Sequence, residues 1–456
     1  MSFEHEPLGF DRVGPLYAEH IEHLNERVGA VLTEHGLDAL VISAGSRSLK
    51  SPFDDQKWPF RPTPAFAHWI PLRDAGSALV IEPGATPRLI RAIASGFWHA
   101  PPRIESHHMW SEFELIEAEL QNVRSELPPT RACAFIGDDP ARARAWGFSD
   151  EQINPPELVR ALDAIRTRKT GYEIECVRVA NRIAARGHAR LAERFTRADD
   201  SELALHLLYL GATGQDDSET PYKNIVAVNE NAATLHHDEY DRSPRGAADR
   251  SLLVDAGAVC LGYASDVTRT WVKGEGAAAG AFSELIRRLD ELQRTIIAEI
   301  APGLEYEALH DRTHESLARV LRDLEIVRAD PEAIVESGAT RAFFPHGLGH
   351  SLGVQVHDVG LRPREPRPEN TYLRNTGTIA IGQVLTIEPG CYFIPSLMDE
   401  LRGKSIAADI DWTAVDALRP LGGVRIEDNI AVTESGVDNL TRPALDEALA
   451  GVSAAP

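Results

Sequence analysis

A chain of 456 residues is longer than one ordinary hydrophobic core organises, so two domains are expected. Its 43% hydrophobic and 25% charged content is that of a soluble globular protein, and a net charge of −22 argues against nucleic acid or anionic membrane as a partner, since phosphate recognition rests on excess Lys and Arg. The four cysteines (Cys133, Cys176, Cys260, Cys391) lie far apart and read as reduced thiols. The first seven residues hold no apolar leader core, and no apolar run reaches membrane-spanning length, so a cytoplasmic location is expected.

The N-terminal third alternates helix and strand. Apolar residues recur at helical spacing from Tyr17 to Leu32, and His35-Gly36 supplies a stop. Leu37–Ser43 reads as a buried strand, with further strands expected at Ala78–Ile81, Arg88–Ile90 and Ala132–Ile136. This alternation predicts an α/β domain. Residues 51–70 carry four prolines and five aromatic rings, a composition that excludes regular structure and suits a functional loop. Two readings stand open for it: a loop packed on its own domain, or one reaching a dimer partner.

The basic stretch Ala161–Tyr172 places a domain boundary near residue 167, giving domains 1–166 and 167–456. An amphipathic helix follows, with Ile174, Val177, Ala184, His188, Leu191 and Phe195 on one face. His188 on that face is read as a core histidine. Ser201 is a suitable N-cap for a helix over Ser201–Leu210. The segment Thr220–Asp238 holds a short strand, Asn224–Val228, and returns to His236-His237, the pattern of a pocket wall.

Carboxylates then begin to interrupt apolar strands. Ser251–Gly257 is a buried strand bearing Asp255, and Tyr263–Trp271 is its expected hairpin partner, setting Asp266 opposite Asp255. A buried carboxylate is costly unless paired or bound to metal, and Arg269 is the competing partner for either one. After an amphipathic helix over Phe282–Ile300, His310 and His314 are four apart on the next helix. They lack the Glu of a zinc HExxH motif and are read as having no metal role. Phe344–Gly360 gathers His346, His350 and His357 among glycines, which let a backbone approach a ligand closely. Glu388 follows an apolar run and precedes a Pro-Gly turn, and Glu427 is placed inside an apolar strand beside Arg425. An arginine could explain either glutamate. Four carboxylates and an imidazole at such positions suit two divalent cations, with Mn²⁺, Co²⁺ or Zn²⁺ fitting the donors, and such a pair would acidify a water lying between them.

In order, Asp255 in VDAG, Asp266 in SDVTRT, His350 in HGLGHSLG, Glu388 in TIEPG and Glu427 in GVRIED resemble the five metal ligands of the pita-bread metallopeptidases. The HGLGH…HD pattern, with TPYKNIVA and GGVRIEDN, is most similar to the bacterial prolidases (Xaa-Pro dipeptidases) and the related organophosphorus acid anhydrolases. The resemblance implies an α/β (α+β) architecture: an N-terminal creatinase-like domain for dimerisation, its loop 51–70 covering a pocket, and a C-terminal pita-bread catalytic domain. It implies two divalent ions per subunit, most simply Mn²⁺, held by Asp255, Asp266, His350, Glu388 and Glu427. Glu388 would also be the general base. His357 and His346 would stabilise the tetrahedral intermediate and move protons, and Arg425 would orient carboxylates. His236 and Tyr222 would line the pocket, and Asp55 would approach the pocket of the other subunit in a homodimer. The implied substrate is a small Xaa-Pro peptide; aminopeptidase P or organophosphate hydrolysis is the alternative. One departure stands out. Prolidases usually read Leu-Arg-x-x-Arg before the TIEPG strand, and the second Arg is expected to bind the dipeptide carboxylate; Leu373-Arg-Asn-Thr-Gly377 places Gly377 there.

Overall fold

The computed structural model describes residues 10–93, 107–360 and 362–453, so the first seven residues, read above for a leader, lie outside the described residues. The chain forms two compact units, Met1–Cys176 and Val177–Pro456, with the division inside the helix Gly171–Arg197. Among the described residues no helix is long and apolar enough to cross a membrane.

In the first unit the helix Phe10–Glu34 buries Val13, Tyr17, Ile21, Leu24, Val28 and Leu32 along one stripe. It ends where Gly36 takes a positive φ of 64°, a conformation that favours glycine. The strands are β1 (Ala39–Ser43), β2 (Ala78–Ile81), β3 (Arg88–Ile93), β4 (Glu114–Glu119) and β5 (Cys133–Ile136), in the order β4-β3-β2-β1-β5. β1 pairs parallel with β5 and antiparallel with β2, so the sheet is mixed. The expected strands are all present. β4 was not expected: Glu-Leu-Ile-Glu-Ala-Glu is half acidic, which marks a sheet edge better than a core strand. The proline-rich segment also differs from expectation, because Pro64–Ala67 forms one helical turn with Pro64 at its start, where a missing N–H costs nothing. Phe66, Trp69 and Ile70 are buried, while Phe53 is fully exposed and Trp58 half-exposed. Its second half therefore packs on its own unit and its first half faces outward.

In the second unit β6 (Ile225–Val228), β7 (Arg250–Asp255) and β10 (Thr268–Lys273) form a sheet in the order β10-β7-β6. Strand alternation divides its side chains. Val226, Leu252 and Val254 pack on Leu191, Phe195, Leu205 and Tyr209 of the helices Gly171–Arg197 and Glu202–Thr213. Ile225, Ala227 and Leu253 face the other way, toward Tyr392, and Asp255 follows Leu253 onto that face. Ser201 caps the second helix by accepting from the Ala204 N–H at 3.2 Å. His188 is a core residue, its Nε2 donating to the Ala256 carbonyl at 3.0 Å.

The expected strand Tyr263–Trp271 is in fact broken. A small hairpin of β8 (Val259–Cys260) and β9 (Tyr263–Ala264) precedes β10, and Thr268, not Asp266, stands opposite Asp255. Asp266 lies in the connection, whose tightness depends on Gly257: a Cβ there would sit 1.9 Å from the Ser265 carbonyl oxygen. The remaining strands are β11 (Val384–Ile387), β12 (Gly390–Tyr392), β13 (Gly423–Arg425), β14 (Asp428–Thr433) and β15 (Gly436–Asn439), ordered β11-β14-β15 and β12-β13. The helix Ala277–Ala298 lays Phe282, Leu285, Leu289 and Ile296 on a core shared with Leu385, Ile387, Ile430 and Val432. Each such buried side chain contributes about 1.5–3 kcal/mol.

Gly257→Ala is expected to separate β7 from the Asp266 connection and destabilise the unit by about 1–3 kcal/mol. A thermal melt checks it; an unchanged melting temperature would contradict the close approach.

Candidate metal centre

Backbone pairing brings the acidic strand ends together. Thr268 bridges to Glu427, the Glu427 N–H donating to the Thr268 carbonyl at 3.0 Å, so the end of β10 lies on the junction of β13 and β14. Asn429 clasps Asp266 from the same junction: its Oδ1 accepts from the Asp266 N–H at 3.0 Å, and its Nδ2 donates to the Asp266 carbonyl at 2.5 Å. The histidine loop lies along β11, with the Thr386 N–H donating to the His350 carbonyl at 2.9 Å and the Glu388 N–H to the Leu348 carbonyl at 2.8 Å. A Cβ on Gly349 would come within 2.0 Å of the Thr386 oxygen, so this contact requires glycine. These pairings fix where the side chains start.

Asp266, His350 and Glu427, all buried, each offer a ligand atom within 4.8 Å of the others. Glu388 stands beside them, its Oε1 3.8 Å from His350 Nε2, and His350 Nε2 is 3.3 Å from Asp266 Oδ2. His350 is oriented by Nδ1–H, which donates to the Ser351 carbonyl at 3.0 Å and leaves Nε2 facing the carboxylates. Asp255 is tied to the group by Tyr222, whose hydroxyl is 2.7 Å from Asp255 Oδ1 and 2.5 Å from Asp266 Oδ1. A phenol carries one proton and can serve only one of them at a time. Glu427 accepts from the Thr268 hydroxyl at 2.6 Å.

The electrostatics are those of an anionic cluster short of positive charge. Burial, outweighing Arg425, pushes Asp255 up to about 6, and burial pushes Glu388 up to about 7 against the pull of His350 and Arg425. Burial and the neighbouring carboxylates raise Glu427 well above its usual range. Burial would raise Asp266 as well, but the hydrogen bond and charge of His350 win and hold it low. Oxygen-rich donors with one imidazole, crowded and raised in this way, fit hard or borderline divalent cations. Asp266, His350, Glu427, Glu388 and Asp255 are the residues placed to hold them.

Two arginines take different positions from those the sequence offered. Arg269, the rival partner for Asp255 or Asp266, pairs instead with Asp428 at 2.6 Å. Glu427 does not lie inside a strand but between β13 and β14, and Glu427 and Asp428 diverge: one enters the cluster, the other meets Arg269 and Arg442. Arg425 donates from Nη2 to Asp255 Oδ2 at 2.6 Å, and from Nη1 to the Tyr392 hydroxyl at 2.9 Å.

Tyr392 was not singled out by the sequence, yet it settles a tautomer. Its hydroxyl accepts from Arg425, which can only donate, so it gives its own proton to His346 Nε2 at 2.8 Å. His346 then carries its proton on Nδ1, which donates to the Gly347 carbonyl at 2.9 Å and lies 3.6 Å from Glu388 Oε2. Burial and Arg425 push His346 down to about 3, keeping it neutral. Glycines make room for the phenol: a Cβ at Gly390 or Gly423 would lie 2.6 or 2.4 Å from its ring. The only sequence signal was this Gly-x-Tyr after the Glu388-Pro389 step, and nothing in it named the partners.

His357 sets its ring 4.5 Å from that of His350 and nearly perpendicular to it, on an exposed position. Partial desolvation of its ring against His350, with the charges of His350 and Arg374, pushes it down to about 4. His236 is exposed and lies within electrostatic reach of His346 and His357. Asp55 belongs to the first unit, where it is exposed and accepts from Gln56 at 3.3 Å. His310 and His314 face one another in the core, Nε2 to Nε2 at 3.2 Å, and Phe344 stands between them and His346.

Comparison with known proteins places the chain in a family. Residues 175–434 match the model of metallopeptidase family M24, and residues 15–163 match that of the Xaa-Pro dipeptidase N-terminal domain. The chain belongs to metallopeptidase family M24. Within it, the chain is 40% identical to an Xaa-Pro dipeptidase of Aeromonas hydrophila, over 94% of this chain and 98% of that one. It is 41% identical to an Xaa-Pro dipeptidase of Marinobacter nauticus, over 94% and 97%. The fold is shared with aminopeptidase P: the Yersinia pestis proline aminopeptidase P II superposes with a TM-score of 0.72 at 22% identity, covering 95% of this chain and 99% of that one. The Escherichia coli aminopeptidase P crystallised with the inhibitor Pro-Leu gives a TM-score of 0.70 at 21%, covering 95% and 99%.

Tyr392→Phe keeps the ring but removes the link between Arg425 and His346. Its kcat is expected to fall roughly 10- to 100-fold with the fold intact. Steady-state kinetics beside a circular dichroism spectrum checks this; full activity would mean that His346 does not depend on the link.

Proposed function

We propose that this chain is a metal-dependent Xaa-Pro dipeptidase, hydrolysing the peptide bond before a C-terminal proline. The observation that carries the reading is the buried set Asp266, His350 and Glu427 with Glu388 and Asp255 beside it, in a chain about 40% identical to Xaa-Pro dipeptidases over nearly its full length. Two divalent ions, Mn²⁺ in our reading with Co²⁺ and Zn²⁺ suited to the same donors, would be held by these five residues. Bound there, such ions lower the pKa of water and polarise a carbonyl.

The side chains then divide the remaining work. Glu388, poised near neutrality by its burial, takes the proton of the attacking water. His357, exposed beside His350, supports the oxygen of the tetrahedral intermediate and passes a proton to the departing proline nitrogen. His346, neutral and protonated on Nδ1, faces Glu388 and supports the same proton transfer. Arg425 holds Asp255 in place, and Tyr222 shares its proton with Asp255 and Asp266. His236 lines the approach to the two histidines.

The reading extends to a homodimer working in the cytoplasm. The outward half of the loop 51–70, with Phe53 and Trp58 exposed, gives the first unit an apolar surface for a second copy, and Asp55 on the same loop would approach that copy's pocket. Residues 1–166 would then serve dimerisation and 167–456 catalysis.

Glu388→Gln is expected to fold normally and lose nearly all hydrolysis of Gly-Pro; wild-type turnover in that variant would sink Glu388 as the base. Chelation followed by gel filtration is expected to abolish Gly-Pro hydrolysis, and added Mn²⁺ to restore it. Undiminished hydrolysis after complete metal removal would refute the metal-dependent mechanism. Faster cleavage of Gly-Pro-Gly than of Gly-Pro would favour an aminopeptidase P specificity instead.

A further inference from the structure

Two polar residues interrupt the buried face of the helix Gly171–Arg197. Val177, Ala184, Leu191 and Phe195 mark that face, and Asn181 and His188 lie on it, as buried as their apolar neighbours. The two are about two turns apart, so both point the same way. Burying a polar side chain costs free energy unless its hydrogen bonds are made, and an apolar residue would fill either position without that cost. Asparagine is also a poor helix former. What each residue gains is a path to the metal centre.

His188 reaches the turn after Asp255. Its Nε2–H donates to the Ala256 carbonyl at 3.0 Å, and burial, pushing the imidazole down to about 4, keeps it neutral. The Ala256 N–H donates to the Val267 carbonyl at 3.0 Å, so His188 is fastened where the residues following Asp255 and Asp266 cross. The Tyr209 hydroxyl holds the next carbonyl, that of Gly257, at 3.1 Å. Its ring fits against the helix just before His188, where a Cβ on Gly187 would lie 2.3 Å from it.

Asn181 reaches Asp266 through two further side chains. Its Nδ2 donates to the Val177 carbonyl at 2.9 Å, which turns its Oδ1 toward Thr441. The Thr441 hydroxyl gives its one proton to that Oδ1 at 2.7 Å and accepts from the Asn429 N–H at 2.8 Å. Asn429 is the residue whose amide clasps both backbone groups of Asp266. All of these side chains are buried.

We propose that His188 and Asn181 are positioning residues of the metal centre. Through the Ala256 carbonyl, and through Thr441 and Asn429, they fix the backbone from which Asp255 and Asp266 would reach a divalent ion. The inference rests on the metal-dependent reading, because only a centre that must present two aspartates in register gives these buried polar groups a use beyond packing.

The experiment titrates Mn²⁺ by calorimetry into the full-length protein after chelation, with the melting temperature measured in parallel. His188→Phe keeps a flat ring and loses the donor, whereas His188→Gln keeps an N–H. Thr441→Val keeps the volume and loses the hydroxyl, whereas Thr441→Ser keeps it. Mn²⁺ affinity is expected to be roughly tenfold lower in His188→Phe and Thr441→Val than in wild type, and largely restored in His188→Gln and Thr441→Ser. A purely structural role would lower the melting temperature and leave the affinity of the folded protein unchanged. Equal affinity within either pair therefore overturns the proposal and leaves the metal centre standing. Should His188→Phe not fold, the Thr441 pair decides alone. If wild type itself takes up no Mn²⁺, the metal-dependent reading fails and the proposal fails with it.

Discussion

The constraint on which the second unit depends is the gathering of carboxylates in a space where none can be fully solvated. Asp266 and Glu427 are buried, and Asp255 and Glu388 nearly so. Burial first, and the neighbouring like charges after it, raise Asp255, Glu388 and Glu427. His350 and Arg425 oppose them, and each is paired with an aspartate. A fold that needed stability alone would have no reason to assemble such a cluster, because apolar residues of similar volume serve at least as well. The surrounding structure holds the cluster regardless, through backbone pairing that the acidic side chains do not themselves provide.

That holding structure explains where the glycines fall. Gly349 lets the histidine loop lie against the Thr386 carbonyl, Gly257 closes the connection between Asp255 and Asp266, and Gly390 with Gly423 seats the Tyr392 ring. Each admits a close contact that a Cβ would block, and at Gly349 and Gly423 the segments that meet are distant in sequence. Asn429 does comparable work with a side chain, pairing with both backbone groups of Asp266 across 163 residues.

The sequence carried much of this, and its failures share a cause. Strand ends bearing acids could be read because a carboxylate interrupting an apolar run is a local signal, as at Asp255 and Glu388. Their mutual placement could not be read, since it depends on long-range pairing. Asp255 and Asp266 were expected across a hairpin, but a second small hairpin intervenes, and the bridge from Thr268 to Glu427 sets the geometry instead. Arg269 looked like the natural partner of either aspartate from its position alone. The partner it meets, Asp428, is 159 residues away. Tyr392 escaped notice for the same reason: its role exists only through Arg425 and His346, neither of which is near it in the chain. In the first unit β4 was hidden by composition, since an edge strand with three glutamates in six residues resembles a solvated loop.

The neighbouring acids Glu427 and Asp428, on either side of the start of β14, serve two electrostatic environments. Successive side chains of extended backbone point to opposite sides, so adjacent carboxylates at the entry to a strand need not share a fate. Asp428 meets Arg269 and Arg442 and is held down at about 2, a settled ion pair that fastens β14 to β10 and to the C-terminal helix. Glu427 turns toward Asp266 and His350, where its charge is unfavourable until a cation is supplied. The stable pair anchors the strand, and the strand then holds the strained acid in position. Stability and function are separated here by a single residue step, so neutralising Asp428 should act on the fold first and on the metal centre only through it.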